Sequence, residues 1–547
     1  MDKSILSHFY QFEKANSNRP FLKQPLKGKP SVILSWSEAA KEARILANKI
    51  KSLGLPEKSN IGILSKNCAH WIITDLAIMM SGHVSVPLYP TLQADTINYI
   101  LKHSECKLLF VGKLDTWNDQ KTGNLDLCPL VSYPYWENEE TTSWNEFIKD
   151  ASPLEGDLIP EEDEIASIIY TSGTTGNPKG VVHTFKSLYI QVHDALQEFK
   201  LGIDDRFFSY LPLSHVAERA LVEFGAIYAG GSISFAESLE TFKDDLVEAK
   251  PTIFMAVPRI WTKFQQGILQ KIPEKKLSLF LNIPLLNNII RNKVKAGLGL
   301  DETIYFFTGA AAISKDLLQW FDQLGIRIYE CYGMTENFCI TTINTPSNIK
   351  LGTVGKQLGA GEAKIADNGE ILYRGPGVMQ GYYKDSENTT ETIDQDGWLH
   401  TGDKGQFNSE GYLNITGRVK DLFKTSKGKY VAPAPIENLF AKATIIEQVC
   451  VVGSGLPSPI ALVILSEDAK KLNETEVQKT LNDLLKLINN EVENFERLKK
   501  IVILKDEWSV ETGLMTPTLK IKRSLIEKKY EPYIHKWNNE NYTISFK

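Results

Sequence analysis

Residues 60–90 read NIGILSKNCAHWIITDLAIMMSGHVSVPLYP. A short apolar run, NIGILSK, is followed by a longer apolar segment, HWIITDLAIMMSG, and then by a second short run, VSVPLYP. The short runs have strand length, and the segment between them has helix length. Strand, helix, strand is the unit from which parallel, buried sheets are built. The pattern extends outward. ADTINYILKHSE (94–105) predicts a helix and CKLLFVG (106–112) a strand. EIASIIY (164–170), FFSYLPL (207–213), SISFAE (232–237), TIFMAVP (252–258) and TIYFFTG (303–309) predict further strands, most of them followed by helices. Residues 30–335 therefore read as α/β with largely parallel strands. The acidic stretch 135–164 reads as an exposed excursion.

From about residue 350 the texture changes. GTVGKQLGAGEAKIADNGEILYRGPGVMQGYY (352–383) is glycine-rich with short β runs, which predicts a small β-subdomain. Residues 419–547 mix strands, EQVCVVGSG and IALVILS, with charged helices, which predicts a separate α+β unit. At 547 residues the chain is too long for one core. Its net charge of −6 gives no general reason to expect nucleic acid as a partner. Six scattered cysteines (68, 106, 128, 331, 339 and 450) form no CxxC pair, so neither zinc nor a disulfide framework is indicated, and a cytoplasmic compartment fits. The N-terminus lacks the apolar core of a signal peptide, and no stretch has the roughly 20 apolar residues of a membrane span. KKLSLFLNIPLLNNIIRNKVK (275–295) is apolar in the middle and basic at both ends. Burial within the protein is the expectation for it, and contact with a membrane surface or an incoming lipid is the alternative.

IIYTSGTTGNPKGVVHT (168–184) carries the chemistry. An apolar strand enters a loop of Ser, Thr and Gly with one lysine, and a helical pattern follows. Small residues let backbone N–H groups approach phosphate oxygens, hydroxyls add donors, and Lys179 adds a cation. The string does not satisfy GxxxxGK[ST], because Pro178 precedes the lysine and Gly180 follows it.

This loop resembles the signature of the acyl-adenylate-forming enzymes, and further matches follow in order over nearly the whole chain. The resemblance implies a large N-terminal domain of α/β subdomains plus a small β-subdomain (1–418), followed by a mobile α+β C-terminal domain (419–547). It implies that Thr171, Ser172, Gly173, Thr174, Thr175, Gly176 and Lys179 hold ATP phosphates. FFTGAAAIS (306–314) and YECYGMTEN (329–337) resemble adenine-binding segments. By that resemblance Tyr332 stacks on the base opposite Gly309, Ala310 and Ala311. Glu330 meets the adenine amino group, with Cys331 and Gly333 beside it. Glu336, with Thr335 and Thr174 near it, holds Mg²⁺, a hard ion that suits oxygen ligands. GWLHTGDKG (397–405) and GYLNITGRVKDLFKTS (411–426) supply Asp403 for the ribose hydroxyls and Arg418 for ribose or phosphate. A carboxylate has two acceptor oxygens for a vicinal diol. Lys420 falls at the hinge about which the small domain swings between half-reactions.

FKTSKGKYVAPAPIE (423–437) resembles the loop that meets the pantetheine arm of CoA, with Lys424 and Gly428 as contacts. Long-chain members carry two consecutive glycines there; this chain has Lys427 then Gly428. LMTPTLKIKR (514–523) resembles the motif of the catalytic lysine, which falls on Lys520. Lys522 and Arg523 are then solvent-facing or structural. VPLYPT, LPLSHVAER, AVPRIWTKF and GAAAIS resemble the long-chain fatty acyl-CoA synthetase branch. His215 then opens a helix lining the acyl pocket, and Gly225 and Ala226 leave room at the pocket wall. The resemblance implies activation of a long-chain fatty acid by ATP and transfer to CoA, by a monomer or homodimer with possible contact at a membrane surface. Two alternatives stay open: a ligase that transfers to a carrier-protein thiol or a luciferase-like oxidase, and a nucleotide-binding scaffold that has lost catalysis.

Overall fold

Asn60–Leu64 and Val84–Leu88 form adjacent parallel strands, and Ala69–Met80 is the helix between them. The computed structural model describes residues 4–122, 126–136, 138–171, 177–440, 443, 445–510, 512–516 and 520–547. Every residue of the Ala69–Met80 helix is buried, so its sequence shows no polar stripe. An eight-stranded sheet runs Gly381–Tyr382, Lys179–Thr184, Ile165–Thr171, Val84–Leu88, Asn60–Leu64, Leu108–Val111, Leu130–Ser132, Thr142–Ser143. Its strands are parallel except for the Lys179–Thr184 and Gly381–Tyr382 additions.

A second, nine-stranded sheet has a parallel centre made of Ile328–Tyr332, Tyr305–Thr308, Ile253–Met255, Arg206–Ser209 and Ser232–Phe235. The main core fills the space between the two sheets. It also encloses charge. Asp75 accepts two hydrogen bonds from Arg219 Nη2 (2.7 and 2.6 Å), and Arg219 Nη1 donates to Ser167 Oγ (2.7 Å). Glu223 lies 3.6 Å from Arg219 Nε, and Asp75, Arg219 and Glu223 have no exposed side-chain surface. Burial, with Asp75 close by, pushes the Glu223 pKa well up. Arg219–Phe224 is a π-helical turn, the wider coil that recurs at functional sites.

Glu362–Ile365, Glu370–Arg374, Leu399–Phe407 and Leu413–Arg418 form the small antiparallel β-subdomain. After Arg418 the chain enters a separate four-stranded sheet, Ile446–Val452, Ile460–Leu465, Ile501–Leu504 and Ile544–Phe546, packed with helices Glu474–Glu491 and Arg523–Asn539. Mixed α/β with a large N-terminal and a smaller C-terminal part is thus the architecture. Among the described residues no helix is long and apolar enough to cross a membrane.

Three local expectations need correction. The 135–164 stretch is not simply an exposed excursion. Trp144 and Phe147 reach into the core against Phe110, and Trp144 Nε1 donates to Glu42 (2.9 Å). The many acids around them conceal two large apolar anchors. Segment 275–295 is not buried: it forms helices Glu274–Leu281 and Leu286–Leu298, in which only Leu277 and Val294 are buried. Lys179 does not lead directly into a helix. It opens an antiparallel strand paired with Ile165–Thr171, and the helix begins only at Phe185.

Candidate active site

Strand Ile328–Tyr332 delivers Tyr332, whose hydroxyl donates to Asp403 Oδ2 (2.8 Å). Arg418 Nε donates to the other oxygen, Oδ1 (2.8 Å). Asp403 and Arg418 face each other across two neighbouring strands, so sheet register sets their pairing. Tyr332, Asp403 and Arg418 are therefore one hydrogen-bonded wall. Just past the end of the adjacent strand Tyr305–Thr308, a Cβ at Gly309 would lie 2.8 Å from Cys331 Sγ, so only glycine fits that approach. Ala310 takes the left-handed conformation (φ 65°) and Ala311 is exposed, which leaves an open edge beside Tyr332. Glu330 is buried on the same strand, and burial pushes its carboxyl up to about 8, so it holds a proton at neutral pH.

Past Tyr332 the chain folds back sharply. A Cβ on Gly333 would lie 1.8 Å from the Cys339 carbonyl oxygen, and Cys339 N donates to Met334 O (2.9 Å). Phe338 (φ 46°) and Cys339 (φ 86°) are consecutive left-handed residues without glycine, a strained arrangement of the kind that clusters at functional sites. Buried Phe338 anchors the turn by packing on Phe224 (5.9 Å) and His183 (5.2 Å). The turn presents Thr335 and Glu336. Burial lowers the His183 pKa to about 4, so His183 is neutral and donates from Nε2 to Thr335 O (2.7 Å). Glu336 Oε1 accepts from the Tyr382 hydroxyl (2.7 Å). Burial raises the Glu336 pKa, while Tyr382, Arg418 and Lys179 pull it back. Lys179 sits over the Tyr382 ring (5.0 Å) and hydrogen-bonds Asn388. Thr171 ends its strand beside Lys179, and residues 172–176 lie outside the described residues.

Glu336 offers a hard carboxylate oxygen that fits Mg²⁺. Among the described residues no group of three or more His, Cys, Asp or Glu is gathered into a metal cage, so a cation at Glu336 would take its other ligands from phosphate and water. Thr174 lies among the undescribed residues.

The cation comes from the other unit. Lys520 N donates to Thr516 Oγ1 (3.1 Å), and Lys520 O accepts from Thr516 N (2.8 Å). The residue is exposed, and its ammonium is within electrostatic reach of Arg418, Asp403 and Cys339. Desolvation and Arg418 lower its pKa to about 8, against the pull of Asp403 and Cys339. His215 is the N-cap of the Val216–Glu218 turn, and its Nδ1 accepts from Ala217 N (3.1 Å). Burial, then Lys520, lowers its pKa to about 3, so His215 is a neutral cap beside the lysine.

Behind these groups lies an apolar slot of about 30 Å³, lined by Ala217, Ala220, Leu221, Phe307, Cys331 and Cys339 among others. That is far too small for an acyl chain, so the slot would have to open to admit one. Gly225 and Ala226 were expected at its wall. Gly225 instead packs against Phe207 and Leu196, and Ala217 and Ala220 supply the small side chains.

A family of AMP-binding enzymes matches residues 9–383. The chain belongs to the AMP-binding enzyme family. Its 420–541 segment matches the AMP-binding enzyme C-terminal domain. The chain is 30% identical to the long chain acyl-CoA synthetase 6, peroxisomal, of Arabidopsis thaliana, over 90% of this chain and 79% of that one. It is 30% identical to the long-chain-fatty-acid–CoA ligase 6 of Rattus norvegicus, over 99% and 88%. The crystal structure of an anthranilate CoA ligase in complex with anthranoyl-AMP shares the fold, with a TM-score of 0.80 at 21% identity over 97% of this chain and 98% of that one.

In this AMP-binding enzyme, Lys424 and Gly428 make their hydrogen bonds within the C-terminal unit, with Gly455 and Thr425. Gly428 carries the positive φ (77°) of the turn and Lys427 does not, so lysine at 427 leaves the backbone path unstrained. Arg523 is structural: it donates twice to Glu437 (2.6 and 2.7 Å) and once to Val451 O (2.8 Å), and lies 3.7 Å from Asp421 beside the expected hinge. Across the units, Arg259 pairs with Glu447 at the edge of a cleft of about 980 Å³. His183, Tyr382 and Asn388 were not singled out from the sequence. His183 stands in the quoted phosphate-loop string, and its proximity to YGMTEN is visible only once the two sheets are packed together.

Proposed function

We propose that this AMP-binding enzyme activates a long-chain fatty acid with ATP and transfers it to CoA, releasing pyrophosphate and AMP. One observation carries the reading: Lys520 arrives from the C-terminal unit beside Asp403, Arg418 and His215, and shares Cys339 with an apolar slot. In this reading the cation lies between the groups that hold ribose and phosphate and the slot that takes the acyl chain.

In the first half-reaction a carboxylate oxygen attacks the α-phosphorus of ATP. Both partners are anionic, so catalysis is positioning plus charge stabilisation. Asp403 orients the ribose, Tyr332 with Gly309–Ala311 brackets the base, and Glu330 faces its amino group. Thr171, Lys179 and residues 172–176 hold the departing phosphates. Glu336 would hold Mg²⁺, which when bound would supply charge neutralisation at the phosphates. Lys520 bridges carboxylate and α-phosphate. The acyl-adenylate stays bound while residues 419–547 turn about Lys420, withdrawing Lys520 and presenting Lys424 and Gly428 to the pantetheine arm. The CoA thiol attacks the acyl carbon and AMP departs. Six free cysteines support a reducing, cytoplasmic setting.

Pyrophosphate release measured over acids from acetate to long-chain fatty acids, with and without CoA, tests the reading. Acid-dependent release that peaks with long chains, with CoA needed for turnover, is the expected outcome. Release only with aromatic or short acids overturns the substrate. Turnover with a holo-carrier protein but not CoA overturns the acceptor.

A further inference from the structure

Helices Glu274–Leu281 and Leu286–Leu298 form a hairpin whose tip is apolar and faces water. Leu279 is 60% exposed, Ile283 41%, Leu285 82% and Ile289 61%. Soluble surfaces scatter such residues singly, and here four fall within eleven positions. Leu285 also takes a positive φ of 70°, where glycine would be at ease. Leu277 and Val294 fix the base of the hairpin in the core, so the tip projects from a packed foundation.

The limbs are basic. Residues 271–295 contain six cations (Lys271, Lys275, Lys276, Arg291, Lys293, Lys295) and a single acid, Glu274, in a chain of net charge −6. Arg291 and Lys295 face inward: Arg291 Nε donates to Gln323 O (2.9 Å) and Lys295 lies over Phe306 (5.8 Å). Lys275, Lys276 and Lys293 are exposed on the limbs behind the apolar tip, and Lys271 is exposed at the end of the preceding helix.

We infer that this hairpin docks the enzyme on an anionic lipid bilayer. Leu279, Ile283, Leu285 and Ile289 enter the headgroup–acyl boundary, and the limb lysines meet lipid phosphates. Charge complementarity favours a bilayer over a second copy of this acidic chain. The inference stands on the hairpin alone, and the proposed reaction gives it a use, because a long-chain acid partitions into the bilayer.

Flotation of the full chain with phosphatidylcholine vesicles, with and without phosphatidylglycerol, tests it without any turnover. The protein should float with the anionic vesicles and be released by salt. The triple variant Leu279→Asp, Leu285→Asp, Ile289→Asp should lose about tenfold or more of this binding, and Lys275→Gln, Lys276→Gln, Lys293→Gln severalfold. Leu285→Gly relieves the backbone while removing the side chain, so it should raise Tm and lower binding. Activity on acid delivered from cyclodextrin should be unchanged in all of them, which separates failure of docking from failure of the reaction. Three results overturn the inference: no flotation, flotation indifferent to these variants, or lipid-free dimerisation abolished by the triple aspartate variant.

Discussion

The two sides of the catalytic cleft are built differently. On the N-terminal side Tyr332, Asp403 and Arg418 are locked by sheet register and mutual hydrogen bonds, and Glu336 is held by a strained turn and by Tyr382. On the C-terminal side, among the described residues, Lys520 has local hydrogen bonds with Thr516 and reaches the centre by the placement of its whole unit. In the proposed reaction nucleotide recognition is thus preassembled, whereas the catalytic cation is delivered. A delivered group can be withdrawn, as a two-step ligase requires.

If that division holds, the largest effect belongs to the delivered group. Lys520→Ala should slow adenylate formation about 10²–10³-fold, with far less effect on thioester formation from supplied acyl-adenylate. Equal loss in both single-turnover assays would break the comparison. Asp403→Ala acts on the preassembled side. It strips Arg418 and Tyr332 of their shared acceptor, and should raise the KM for ATP about tenfold and lower stability by about 1–3 kcal/mol in thermal unfolding. Retained ATP affinity would mean that the wall does not hold the ribose.

A third test uses pH. Lys520 is cationic below about 8 and loses its proton above it, so the adenylation rate should fall as pH rises through that value. Thioester formation should show no such limb, and in Lys520→Arg any remaining adenylation should lose it. The smallest effect belongs to the Arg259–Glu447 pair, whose side chains are both about one-third exposed. Arg259→Gln and Glu447→Gln should each lower adenylation a few-fold, with a coupling of about 0.2–1 kcal/mol in a double-mutant cycle. No coupling would leave the pose of the small domain to its other contacts.

Buried parallel strands were legible as continuous apolar runs, and the helix between the first two as a long one, because burial on both faces leaves no alternation to misread. Asp403, Tyr332, Glu336 and Lys520 were legible through motif order, although their convergence needs two units to meet. His183 and Tyr382 were not, because each acts across an inter-sheet contact that local spacing does not encode. Trp144 was masked by neighbouring acids, and the 275–295 hairpin looked buried because apolar composition alone does not say which side a helix shows. Small residues at 225 and 226 were legible as small but not by direction, which the π-helical turn changes.

That turn also limits how the proposed acyl site can be redesigned. Ala217, Ala220 and Leu221 present one face to the slot, while Arg219 and Glu223 on the same coil are bound into the buried cluster with Asp75. Replacing Arg219 with lysine would forfeit a planar fork that serves two partners at once, and removing it would leave Asp75 a buried charge with no counter-charge, held by Ser85 Oγ. Variation in chain-length preference is therefore cheaper on the opposing strands, at Met255, Phe307 and Ile343, than on the coil itself. One wall of the slot is free to evolve and the other is mortgaged to the core.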